Sequence, residues 1–169
     1  KIGGGKYFVV EACEYCGSFL KFHPYLTVIL NIDFDHADYF RNIEHVKRTF
    51  LDFASLIPKN GYLVACADDP NILPLLEKVS CNKVTFGMNP EKAKWSAKNI
   101  EFNSSGCASY SLVKDGEILT DIKLAVPGMH NVSNSLATIA SCNILGCDIP
   151  SIKRGLLKFT GAHQRFELK

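Results

Sequence analysis

Three carboxylates and an imidazole crowd into the stretch Asn31-Ile32-Asp33-Phe34-Asp35-His36-Ala37-Asp38-Tyr39, directly after the apolar run Leu26 to Leu30. Carboxylates this close repel one another, and a hard cation among them relieves the repulsion. Mg2+ characteristically takes one or two such oxygens and keeps several waters. A buried strand that opens into an acidic, His-bearing loop is also how open α/β sheets build sites at the carboxyl ends of their strands. A solvated acidic loop would carry the same residues, so the stretch is read with its neighbours.

A second site of this kind lies upstream. Tyr7 to Val10 is a short run of aromatic and β-branched residues that predicts a strand, with Glu11 where the strand ends and its loop begins. If the two strands are parallel neighbours, Glu11 and His36 face one region. Glu11 as a polar residue leaving an edge strand is the alternative.

The third motif is Val126-Pro127-Gly128-Met129-His130-Asn131-Val132-Ser133-Asn134, a turn before a helix. Glycine permits close backbone approach, and the free N–H groups of a helix start carry positive partial charge suited to phosphate or polar ligands. His130, Asn131 and Asn134 line the first turn; ordinary helix capping by Asn131 is the competing reading. Near the end, Gly161-Ala162-His163-Gln164-Arg165-Phe166-Glu167 sets Arg165 in a polar turn, where a guanidinium fork suits phosphate or ribose, or is simply a surface charge. The opening Gly3-Gly4-Gly5-Lys6 fails as a phosphate loop, because Tyr7 stands where Ser or Thr is required and no strand precedes it.

Elements that could position these groups follow from the apolar periods, which alternate between two and about 3.6 residues as in a βαβ protein. Ile43, Val46, Phe50, Phe53, Ala54 and Ile57 keep helical spacing, with Asn42 as N-cap and a stop at Pro58. Tyr62 to Ala67 reads as a buried strand ending at Asp68-Asp69-Pro70, Ile72 to Val79 as a short helix, and Val84 to Phe86 as a strand closed by Gly87. From Trp95 to Val126 the texture changes to strand alternation, and Lys114-Asp115-Gly116-Glu117 is a hairpin signal. Helical spacing returns at Val132, Leu136, Ile139 and Ala140, ends near Gly146, and recurs from Ile149 or Pro150 to Leu157. The expected fold is α/β: a mostly parallel sheet flanked by helices, with a small antiparallel patch beside it.

Composition narrows the function classes. A chain of 169 residues with 47% hydrophobic content buries one good core. Its net charge is +2 and the basic residues are scattered, which argues against nucleic acid or a membrane surface as partner. The apolar runs are far too short to span a bilayer, and no leader pattern appears, so a cytoplasmic location is expected. Seven cysteines, an odd number, fit reduced thiols better than a disulfide framework. Cys13 and Cys16 have CxxC spacing, but no second pair completes a zinc site, and Glu11 and Glu14 oppose thiolate formation.

In this order, four pieces resemble the Mur ligases: Val10-Glu11-Ala12-Cys13-Glu14-Tyr15 with Ser18-Phe19-Leu20; Asn31 through Tyr39; Pro127 through Asn134; and Gly161 through Glu167. The likeness runs over nearly the whole chain, and the joint pattern is far more specific than any single piece. It implies that residues 1–160 are most of a P-loop-type central ATP-binding domain without its phosphate loop, and that 161–169 are a hinge and the start of a C-terminal domain. The family's Gly-Lys-Thr loop and N-terminal UDP-binding domain are expected upstream, and the domain that receives the amino acid downstream. The isolated segment is therefore expected neither to hydrolyse ATP nor to ligate.

The resemblance also implies a chemistry. The intact enzyme would use ATP and Mg2+ to phosphorylate the lactyl carboxylate of UDP-N-acetylmuramate, and the amine of L-alanine would displace phosphate to form the amide, in the cytoplasmic synthesis of peptidoglycan precursors. Glu11 and His36 match the family's catalytic metal-site positions, with Asp35 placed to orient His36. His130, Asn131 and Asn134 match positions around adenine and ribose, and Arg165 a phosphate or ribose contact across the hinge. Gln164 departs from the second Arg of many relatives, and Cys13 from their Asp. Members that recycle a whole tripeptide onto the same sugar nucleotide are an alternative, as is a nonenzymatic nucleotide-binding module of the same fold.

Overall fold

A computed structural model of the chain describes residues 4–161. Six strands form one continuous sheet in sequence order: β1 (Leu26–Ile29), β2 (Tyr62–Cys66), β3 (Asn82–Phe86), β4 (Trp95–Phe102), β5 (Cys107–Lys114) and β6 (Glu117–Pro127). Four helices accompany them: α1 (Ile43–Ser55), α2 (Leu73–Lys78), α3 (Met129–Ile144) and α4 (Ile149–Lys158). A 3-10 segment, Tyr15–Lys21, precedes β1.

Strands β1 to β3 pair in parallel through the α1 and α2 crossovers, as βαβ units require. The β3 to β4 step is also parallel yet needs only a short loop. Its register is the single pair Phe86↔Trp95, so β4 begins where β3 ends. Antiparallel β5 and β6 complete the sheet. Three strand pairings are parallel and two antiparallel, so the sheet is mostly parallel with an antiparallel patch, as expected, and the patch continues the same sheet. Because β6 resumes the direction of β1 to β4, the loops after β1, β2, β3 and β6 all leave from the carboxyl side.

Local signals explain the helices. The Asn42 side chain accepts from the His45 amide at 2.9 Å and caps α1, and the Asp148 carboxylate accepts from Ser151 at 2.7 Å and caps α4. Helix α3 ends in a Schellman motif: Cys147 N–H donates to Cys142 O and Gly146 N–H to Asn143 O, with Gly146 at φ 88°. The hairpin turn has Asp115 at φ 51° and Gly116 at φ 87°, both left-handed as a type I′ turn demands. Helix α3 packs on β1, β2, β3, β4 and β6, and its Val132, Leu136, Ile139 and Ala140 are fully buried against the sheet with Leu63, Phe86 and Leu112.

One expected element is absent from the described residues. Tyr7–Val10 forms no strand; Phe8 and Val9 are 89% and 88% exposed. β-propensity alone makes no strand, because ladder hydrogen bonds need a partner and this run has none among the described residues. Most of the segment expected to be a hinge, 162–169, lies outside the described residues.

Candidate functional site

The acidic loop is built from an anchor outward. Ile32 is buried in the core, while Asn31 and Asp33 on either side of it are exposed at the carboxyl edge. Asp33 accepts from the Phe34 amide at 2.8 Å and Asp35 from the His36 amide at 2.6 Å, so each carboxylate is anchored by the next residue of the backbone. His36 itself is left-handed, at φ 53°, and its carbonyl accepts from Tyr39 and Phe40 to close the turn. Glu14, Asn31, Asp33, Phe34, Asp35 and Phe50 line a cavity of about 480 Å³ here.

Glu14, rather than Glu11, is the carboxylate beside the imidazole: His36 Nε2 lies 3.5 Å from Glu14 Oε1. The Tyr15 ring lies 4.8 Å from the His36 ring, and its hydroxyl donates to Asp38 Oδ2 at 2.7 Å. That hydrogen bond, together with the Asp38 charge, pushes the Tyr15 phenol up to about 12, and the same bond holds the Asp38 carboxyl low. Phe19 stacks on Phe53 of α1 at 4.3 Å, pinning the 3-10 segment that carries Tyr15. Asp35 engages the backbone of His36, so the ring is oriented by Glu14 and Tyr15 instead. Glu11 is exposed on the 7–14 segment and does not contact His36.

At the next strand end, Asp69 accepts from the Ile32 amide at 2.8 Å and from Asn71 N–H at 2.7 Å. Asn71 Nδ2 donates to Ile32 O at 2.8 Å. Asp68 accepts from the Met88 amide, and a Cβ at Gly87 would meet both Asp68 oxygens at 2.9 Å. In the sequence these two aspartates read only as the end of a strand. The one local signal was Asp69-Pro70, a turn-initiating pair.

The helix-start motif is also rearranged. Gly128, at φ 98°, precedes α3, and a Cβ there would fall 2.7 Å from His130 Cε1, so the imidazole folds back over the glycine. Asn131 is inside the helix and is not its cap. Its Nδ2 donates to Pro127 O at 2.7 Å, and its Oδ1 accepts from Asn134 Nδ2 at 3.5 Å. His130 and Asn134 are exposed beside it. Gly128 N–H donates to Gly106 O at 3.0 Å, which fastens this corner to the β4–β5 turn. Arg165 lies outside the described residues.

The donor chemistry fits a hard cation that asks for few protein oxygens: Glu14, Asp33 and Asp35 line one cavity. No group of three or more such side chains is already gathered around a metal position among the described residues. No helix among them is long and apolar enough to cross a membrane. The chain matches the Mur ligase middle domain over residues 3–142.

The chain belongs to the Mur ligase family. This Mur ligase domain is 59% identical over all 169 residues to UDP-N-acetylmuramate--L-alanine ligase of Acetivibrio thermocellus, and spans 36% of that protein. Among solved structures it resembles UDP-N-acetylmuramate-alanine ligase MurC from Thermotoga maritima, with a TM-score of 0.74 and 28% identity, covering 89% of this chain and 32% of that one. It also resembles UDP-N-acetylmuramate:L-alanyl-gamma-D-glutamyl-meso-diaminopimelate ligase from Neisseria meningitides, with a TM-score of 0.74 and 26% identity, covering 86% of this chain and 43% of that one. The chain thus spans about a third of the length of the curated relatives it matches.

Proposed function

We propose that this chain is the central part of an ATP-dependent ligase that joins L-alanine to UDP-N-acetylmuramate in the cytoplasm, through an acyl phosphate. The observation that carries this reading is the 59% identity across the whole chain to an enzyme of that name. The tripeptide-adding reading has a structural neighbour at 26% identity, which makes it the second choice.

The physical problem of such a reaction is charge: an anionic carboxylate must meet an anionic triphosphate in a site that offsets both. Mg2+, when bound, would supply positive charge that offsets the phosphates. Glu11 and His36 are the residues proposed to hold it. The carboxylates of Glu14, Asp33 and Asp35 border the adjoining cavity, where they keep that edge selective for cations. On the adenine side, the exposed amide of Asn134 offers a donor and an acceptor to a purine edge. Asn131, tied to Pro127 O, holds that corner rigid, and the His130 ring over Gly128 supplies a flat face. Arg165 is proposed to supply the phosphate or ribose contact.

The test is phosphate release by the full-length protein with ATP, Mg2+ and UDP-N-acetylmuramate, offered L-alanine and then the tripeptide. Turnover with L-alanine is expected. Turnover only with tripeptide selects the second reading, and turnover with neither overturns both.

A further inference from the structure

Ile32 is held at both of its backbone polar groups by one loop. Its N–H donates to Asp69 Oδ2 at 2.8 Å, and its carbonyl accepts from Asn71 Nδ2 at 2.8 Å, across sequence separations of 37 and 39 residues. The other Asp69 oxygen accepts from the Asn71 backbone N–H at 2.7 Å, so the Asp69 carboxylate is itself fixed to the backbone that carries Asn71. All three bonds are part-buried. The Ile32 side chain is meanwhile sunk in the core at 2% exposure.

A residue fixed at its N–H, its carbonyl and its side chain cannot turn about its own backbone. In an extended segment, neighbours of an inward residue project outward, so Asn31 and Asp33 are aimed at the carboxyl edge, and both line the two cavities there. The chain then has only Phe34 and Asp35 to traverse before His36, so the clamp also sets where the imidazole starts. We infer that Asp69 and Asn71 are positioning residues for the reaction, acting through Ile32 to hold the Asp33–His36 loop at the sheet's carboxyl edge. The inference rests on the proposed function for what the loop does, though not for how it is held.

The Asp68 carboxylate does the same for the following loop. It accepts from the Met88 amide, and Gly87 leaves it room. The paired aspartates therefore brace the loops after β1 and β3 from the strand between them.

The experiment uses the full-length protein with Asp69→Ala, Asp69→Asn and Asn71→Ala. Amide hydrogen exchange at Ile32 should speed up about tenfold or more in Asp69→Ala and less in Asp69→Asn, which keeps one acceptor. Saturated turnover should fall about tenfold or more in Asp69→Ala, with the KM for L-alanine unchanged and thermal stability retained. Unchanged Ile32 exchange, or faster exchange with wild-type kcat, overturns the inference. Loss of activity only in step with lost folded protein also overturns it, since a merely structural bond would behave so. If Asp69→Ala does not fold, Asn71→Ala decides by the same two readouts, as it removes a single bond to Ile32. A wild-type protein that ligates neither L-alanine nor tripeptide overturns the proposed function instead, and the Ile32 exchange rates still decide whether the clamp exists.

Discussion

The Tyr15 hydroxyl donates to Asp38 Oδ2 at 2.7 Å and so ties the segment ahead of β1 to the loop that follows it. The phenol's value, raised to about 12 from an ordinary 10, means that its contribution to stability is complete below pH 10 and is lost as pH climbs toward 12. Asp38, held low by the same bond, contributes above the ordinary carboxylate range and loses that contribution as pH falls through its folded value. Alkaline absorbance titration of the wild type should show two tyrosines near 12, Tyr15 and the buried Tyr110. Tyr15→Phe should leave one; if two remain, the bond does not form in solution.

Gly128→Ala should destabilise the fold by about 1–3 kcal/mol, because the left-handed backbone strains any side chain and the new methyl group displaces the His130 ring. Urea unfolding measures the loss. Nucleotide affinity of the intact ligase should fall in parallel, while an unchanged affinity would separate His130 from the nucleotide.

Leu136 on α3 has no exposed surface. Leu136→Ala should cost about 2–5 kcal/mol, the usual range for emptying a core position, read as a lower urea midpoint with an unchanged slope.

In the intact ligase, Glu11→Ala is expected to lower kcat by about 100-fold, the scale of losing an interaction that holds charge-offsetting machinery in place, with stability unaltered. Glu14→Gln should cost less. It removes only a partly exposed contact with His36, at 3.5 Å, and partly exposed polar pairs contribute little. The opposite ranking, measured by single-turnover kinetics, would move the proposed cation-holding role from Glu11 to Glu14.

Arg165→Ala should raise the KM for ATP with little change in stability. Unchanged kinetics would leave it a surface charge.

Much of the architecture is written in local chemistry. Asn42, Asp148 and Gly146 end or start helices through bonds to residues a few positions away, and Asp115-Gly116 turns a hairpin by its own dihedral preferences. The alternation of apolar periods reports burial on one face of each element, which is why α1, α3 and the parallel strands were readable. The clustering of carboxylates after β1 was equally plain, since it is a property of consecutive residues. Tertiary structure alone decided the rest. Whether Tyr7–Val10 becomes a strand depends on a partner edge, which propensity does not supply. The junction Phe86↔Trp95, which joins the antiparallel patch to the parallel strands in one sheet, is a single backbone register with no side-chain signature. That Glu14 meets His36, and that Asp69 and Asn71 reach Ile32 across more than thirty residues, follows from how the loops fold back at the carboxyl edge. Hydrogen bonds between distant segments leave no periodic trace in either one, because each needs only a polar side chain at a position where many are tolerated.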